Sequence, residues 1–228
     1  MKVTITTIMY KREKVFDIYA CNVKKLINHF KDIEFNVVVV GSTPICKRAA
    51  TKHGFTYSYY QNLPIGAKAQ YRLERAKDTN ADYYLFLGSD DIISIPAFAY
   101  CLKYMNEGFE HIAPYDIFYN YKQSLYYSQG YDVTHKRYLE PLAVGRILSK
   151  GLLERLNWKL WDETIVKRGL DKPASDRIKK ANPKSHYYWC IDIDGGYIID
   201  FKTESNLSAI RPHKWQYIGA TKDYYNYE

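Results

Sequence analysis

The chain has 228 residues, 46% of them hydrophobic and 25% charged, with a formal net charge of +8. That length and apolar content predict one large α/β domain rather than two small ones. No run approaches the roughly 18 apolar residues that cross a bilayer, and the Met1-Lys2 start lacks the apolar region and cleavage site of a signal peptide, so a cytoplasmic protein is expected.

Residues 3–10 are β-branched and apolar enough for a central strand. Val15, Tyr19, Val23, Leu26, Ile27 and Phe30 then follow the 3.6-residue period of an amphipathic helix. A second buried strand is expected at 35–40, closed by Gly41-Ser42-Thr43-Pro44. Pro44 suits the first turn of a helix ending near Gly54. A third strand falls at 55–60, and the loop 61–66 leads into a helix over 67–77 that turns Ala69, Leu73 and Ala76 inward. Tyr83-Tyr84-Leu85-Phe86-Leu87 is a short apolar run of the kind that fills a buried strand. The order β-α-β-α-β-α-β predicts a Rossmann-like, doubly wound, mostly parallel sheet.

The second half differs in character. Pro96 opens a helix to about Asn106, residues 112–114 re-enter the sheet, and 116–121 with 125–131 form a hairpin turning at Lys122-Gln123-Ser124. Short helices are expected at 148–156 and after Pro173, and strands at 187–192 and 197–201. The last fifteen or so residues read as a polar, aromatic tail. No repeat, low-complexity linker or domain boundary is visible, so residues 1–228 are expected to form a single domain.

Chemistry concentrates after the fourth strand, where Gly88-Ser89-Asp90-Asp91 ends the apolar run. Ligands of open α/β sheets sit just outside the carboxyl ends of the strands. Adjacent carboxylates there suit a hard divalent cation that in turn holds phosphate oxygens. The alternative is an acidic turn that satisfies local N–H groups. Between Lys136 and Lys184, thirteen Lys/Arg face six Asp/Glu, which favours a polyanionic or phosphate-bearing partner over an ordinary solvated face. Eight aromatics lie between Tyr115 and Tyr138, suited to stacking on a base or sugar ring or to packing on the core. Cys21, Cys46, Cys101 and Cys190 form no Cys-x-x-Cys pair and read as reduced, structural thiols. The 24 Tyr, with many Lys, Asn and Ile, match an AT-rich genome such as that of many phages.

Four pieces of the chain, in order, resemble the GT-A fold glycosyltransferases, particularly the family 2-like enzymes. Thr6-Thr7-Ile8-Met9-Tyr10-Lys11-Arg12 is similar to the first-strand signature that cradles the nucleobase. Asn62-Leu63-Pro64-Ile65-Gly66-Ala67-Lys68-Ala69-Gln70 resembles the loop and helix beneath the nucleotide. Leu87-Gly88-Ser89-Asp90-Asp91 resembles the metal-binding Asp-x-Asp region. Gly145-Arg146-Ile147-Leu148-Ser149 and Trp161-Asp162 through Gly169-Leu170-Asp171 resemble the acceptor half.

The resemblance implies a nucleotide-sugar half at about 1–120 and an acceptor half beyond it, with a hairpin and helices. It implies transfer of a sugar, most readily from a UDP-sugar, to an acceptor hydroxyl. Donor contacts are implied at Thr7, Tyr10, Arg12, Gly66, Lys68, Ser89, Asp90 and Asp91. Mn²⁺ or Mg²⁺ would sit on Asp90 and Asp91, with His213 completing the shell and His186 a weaker candidate. The implied general base is Asp171, with Asp162 and Asp176 as rivals, and Arg146, Lys167 and Arg168 are expected at the acceptor. Two departures stand out: Gly88 occupies the first Asp position of Asp-x-Asp, and Leu170 the place of the family's usual Glu. The acceptor is expected to be a hydroxylated base in phage DNA, on the strength of the basic segment, or a cell-surface or lipid-linked glycan. A non-catalytic binding module is the competing reading. A nucleotidyltransferase is disfavoured, because no glycine-rich basic loop follows the first strand.

Overall fold

The computed structural model describes residues 1–203 and 215–220. Four parallel strands build its first half: β1 (Lys2–Met9), β2 (Glu34–Gly41), β3 (Thr56–Tyr59) and β4 (Tyr83–Phe86), in the spatial order β3-β2-β1-β4. The crossovers are α1 (Glu13–His29), α2 (Pro44–Lys52) and α3 (Ile65–Lys77). Each begins or buries as its sequence dictates. Thr43 caps α2 by accepting the Cys46 N–H, and Pro44 follows where an N–H would have no partner. α1 buries Phe16, Tyr19, Val23 and Leu26 on one face of the sheet, with α4 (Ile95–Asn106) beside it. α3 buries Ala69, Leu73 and Ala76 on the other face, with α5 (Lys150–Arg155) and α6 (Asp171–Lys180). Both faces are therefore covered, and each fully buried Leu or Phe contributes about 1.5–3 kcal/mol.

Beyond β4 the sheet continues through β9 (Arg146–Ser149), β6 (His111–Pro114) and β10 (Ser185–Tyr188), with β9 antiparallel to both β4 and β6. A second, five-stranded sheet lies at the carboxyl end of β4. It runs in the order β12 (Gln216–Ala220), β8 (Ser124–Ser128), β7 (Ile117–Tyr121), β11 (Ile198–Phe201) and β5 (Asp91–Ile93). The expected hairpin is β7–β8.

Four local expectations change. Leu148, expected to open a helix, lies in the strand β9, and the helix starts after Ser149, which caps it by accepting the Leu152 N–H. α6 starts at Asp171, two residues before Pro173, since proline is tolerated in a helix's first turn. Of 187–192, only the first two residues are in a strand, and Cys190–Asp192 is a single 3₁₀ turn. Part of the expected tail, Gln216–Ala220, pairs antiparallel with β8. No helix among the described residues is long and apolar enough to cross a membrane.

Candidate active site

The parallel strands end on one edge, and the side chains singled out by sequence gather there. β4 stops at Phe86, Gly88 and Ser89 turn the chain, and Asp91 opens β5. β11 then pairs antiparallel with β5 so that Asp200 stands directly opposite Asp91. Oxygens of Asp90, Asp91 and Asp200 all lie within 4.8 Å of one another. Sequence reasoning missed Asp200. Its one signal was a lone carboxylate inside the apolar strand Ile198-Ile199-Asp200-Phe201.

Each carboxylate is anchored by a donor. Arg12 Nη1 donates to Asp90 Oδ2, the Gly88 N–H to Asp91 Oδ2, and Lys202 Nζ to Asp200 Oδ2. Asp200 Oδ1 is buried, with no hydrogen-bond partner among the described residues. Burial, followed by the charges of Asp200 and Asp90, pushes the Asp91 carboxyl well above the usual carboxylate range. Burial and Asp90 raise Asp200 to about 7, against the opposing pull of Lys202. Three converging hard oxygen donors, one of them sealed and unsatisfied, suit a divalent cation. Anchoring of the second oxygens is what orients such ligands.

Gly88 has a specific reason to lack a side chain. A Cβ there would lie 2.7 Å from Asp91 Oδ2 and 3.0 Å from Asp90 Oδ1. The space a side chain at position 88 would take is thus filled by the carboxylate of Asp91.

Arg12 reaches Asp90 from a strained loop. Lys11 and Arg12 both take left-handed backbone, φ 57° and 66°, at a cost of roughly 1–2 kcal/mol each. Lys68 is 1% exposed and donates to Met9 O (2.7 Å), Ser42 Oγ (2.6 Å) and Asn62 Oδ1 (3.2 Å). Burial pushes it down to about 8. It ties the end of β1 to the loops before α2 and α3, with its Nζ 6.0 Å from the ring of the exposed Tyr10. Thr7 and Ser89 are buried nearby in sequence, on β1 and after β4. Gly66 faces the acceptor half: its Cβ would fall 1.9 Å from Asp162 O, and its N–H donates to Ile165 O at 2.9 Å.

Asp162 is a turn residue whose Oδ1 accepts from both the N–H and the hydroxyl of Thr164, which lowers its carboxyl. Asp171 is exposed at the first turn of α6 and acts electrostatically on Arg72 and Arg146. Asp176 is bonded to Lys172. Arg146 is buried, whereas Lys167 and Arg168 are exposed on the loop before α6. Of the thirteen cations in the basic segment, Arg137, Lys150, Arg155, Lys159, Lys172 and Lys179 are paired with acids. His186 stacks on Tyr104, with ring centres 3.4 Å apart, away from the carboxylates in β10. His213 lies outside the described residues.

No family model and no curated protein matches the chain. Solved structures do. The crystal structure of S. aureus TarS superposes with a TM-score of 0.60 at 16% identity, over 89% of this chain and 37% of that one. S. aureus TarS 1–349 in complex with UDP gives 0.56 at 15% identity, over 89% of this chain and 61% of that one. The fold is GT-A. CMP:2-keto-3-deoxy-manno-octonic acid synthetase complexed with CTP gives 0.51 at 12% identity, over 82% and 90%. The GT-A unit described here thus spans little more than a third of full TarS.

Proposed function

We propose that this chain transfers a sugar from a nucleotide-sugar donor to an acceptor hydroxyl. The convergence of Asp90, Asp91 and Asp200 at the carboxyl edge of a GT-A sheet carries the reading. The ordered sequence motifs and the UDP complex of a structural neighbour support it, and favour a uridine nucleotide. Negative charge grows on the diphosphate as the sugar bond breaks. Mn²⁺ or Mg²⁺ held by the three carboxylates would supply positive charge to that leaving group. Lys68 holds the loops around Tyr10 in place, and Tyr10 offers a ring to the base. Asp171 is the base that takes the proton from the acceptor hydroxyl, since Asp162 already serves Thr164 and Asp176 serves Lys172. For the acceptor, a glycan hydroxyl is taken ahead of duplex DNA, because Arg137, Lys150, Arg155, Lys159, Lys172 and Lys179 each already face an acid of the protein.

Calorimetry with UDP tests the donor site. Mn²⁺ should tighten UDP binding at least tenfold in the wild type, and Asp90→Ala should abolish that gain. Equal affinity with and without Mn²⁺, in both proteins, overturns the metal-assisted reading.

A further inference from the structure

Two arginines outside the carboxylate cluster are buried with no ion-pair partner among the described residues. Arg146 opens β9 and is the register partner of Phe86, the last residue of β4. Paired residues on antiparallel strands project side by side from the same face, with Cβ atoms about 4.5–5.5 Å apart. Arg72 comes down from α3 onto that face, its guanidinium 5.0 Å from the Phe86 ring centre and 4.6 Å from that of Trp161. Both guanidinium groups therefore lie at the carboxyl end of β4, one short turn before Asp90.

Their environment is unusual for charge. Arg72 is 7% exposed and Arg146 3%. Among the described residues no carboxylate comes within ion-pair distance of either, and the Nε of each is sealed without an acceptor. Arg146 makes one side-chain hydrogen bond, to Ser175 Oγ at 3.0 Å, and Arg72 makes none. The neighbouring Arg137, by contrast, has an ion-pair partner in Glu140 at 2.6 Å. Buried guanidinium groups are costly unless paired, and each such group in a native fold calls for a function. Rigid planar forks match the oxygens of phosphate or carboxylate.

We propose that Arg72 and Arg146 form an anion subsite that holds a phosphate or carboxylate group of the acceptor glycan. The proposal rests on the transferase reading and names its acceptor class. Asp171 stands one helical turn before Ser175, the residue that holds Arg146, and its charge acts on both arginines. An acceptor anchored by its oxyanion on the two forks presents a nearby hydroxyl to that base. The rings of Phe86 and Trp161 both lie against the Arg72 guanidinium and confine it, so charge alone is no substitute for arginine. A recessed pair reads one oxyanion, unlike the exposed row of cations that tracks a duplex.

Calorimetry with glucose 6-phosphate and with glucose, each with and without saturating UDP and Mn²⁺, tests it. Glucose 6-phosphate should bind at least tenfold more tightly than glucose. Arg72→Gln should weaken that binding at least tenfold while UDP affinity stays within twofold. Should Arg72→Gln fail to fold, Arg146→Lys keeps the charge, loses the fork, and should show the same loss. Equal affinity for the two sugars, or indifference to both variants, overturns the subsite. Displacement of glucose 6-phosphate by UDP overturns its assignment to the acceptor. Tighter binding of a short DNA duplex, lost in the same variants, overturns the glycan in favour of nucleic acid. Arginine-dependent glucose 6-phosphate binding in a protein that does not bind UDP supports the anion subsite and discards the transferase reading.

Discussion

Replacing Asp200 by Asn should make the metal-free protein more stable at pH 8, and change it much less in acid. The folded-state value of Asp200, about 7, is raised above its ordinary 3.8 by burial and by Asp90. Between those values the folded chain binds more protons than the unfolded chain, so stability falls as pH rises through that window. A tenfold change in proton affinity is worth about 1.4 kcal/mol, which sets the full penalty at roughly 4 kcal/mol above pH 7. About 3 kcal/mol of it accrues between pH 5 and pH 8. Asn is nearly the same shape, still accepts from Lys202, and carries no charge to repel Asp90 and Asp91. Urea unfolding in EDTA, followed by tryptophan fluorescence at pH 5, 6, 7 and 8, measures the effect as a difference between the two proteins. That difference cancels the titrations the two proteins share. The stability gap should widen by about 3 kcal/mol across the series. Mn²⁺ at a hundred times its dissociation constant should then recover about 2.7 kcal/mol in the wild type alone. Parallel pH curves for the two proteins would refute the idea that the cluster stores unfavourable charge.

The remaining expectations concern the loops around that cluster. Gly88→Asp, which spells the Asp-x-Asp of the enzymes the sequence resembles, should weaken Mn²⁺ binding at least tenfold, because its Cβ would start 2.7 Å from Asp91 Oδ2; metal titration by calorimetry measures it. Gly66→Ala should cost about 1–3 kcal/mol or more in urea unfolding, since its methyl meets the Asp162 carbonyl carried by the facing loop. Asp171→Asn should lower kcat by about 10²–10⁴-fold with UDP affinity nearly unchanged, and near-normal turnover would remove it as the base.

Much of the donor half was legible because its signals are local. Apolar runs of four to eight residues, Pro44 after a capping Thr43, and the break at Gly88-Ser89 each act within a few residues of chain. They gave the parallel strands and placed Asp90 and Asp91 at a strand end. Asp200 was hidden because its meaning comes from pairing across the fold: only the β5–β11 register sets it against Asp91. Leu148 misled for a related reason, as an apolar residue just before a helix fits its first turn as well as an inserted strand. Arg72 passes in sequence for a solvated position on α3. Its burial follows from Trp161, which arrives from the other half of the chain. Lys68 reads as a phosphate ligand by motif, and its three hydrogen bonds to protein oxygens appear only once three loops are folded together.

The pairing of β5 with β11 also orders events during synthesis. β5 is an edge strand whose partner is β11, and roughly a hundred residues separate Asp91 from Asp200. While the ribosome extends the chain, the parallel sheet can close with its short-range crossovers, whereas β5 keeps an open row of N–H and C=O groups. The nascent protein thus carries two of its three clustered carboxylates long before the third emerges. A ribosome-bound fragment that has exposed β10 but ends before Ile198 should hold a folded first sheet and lack the third carboxylate. A complete three-carboxylate cluster therefore forms only late in synthesis, and the edge of β5 stays open for pairing until then.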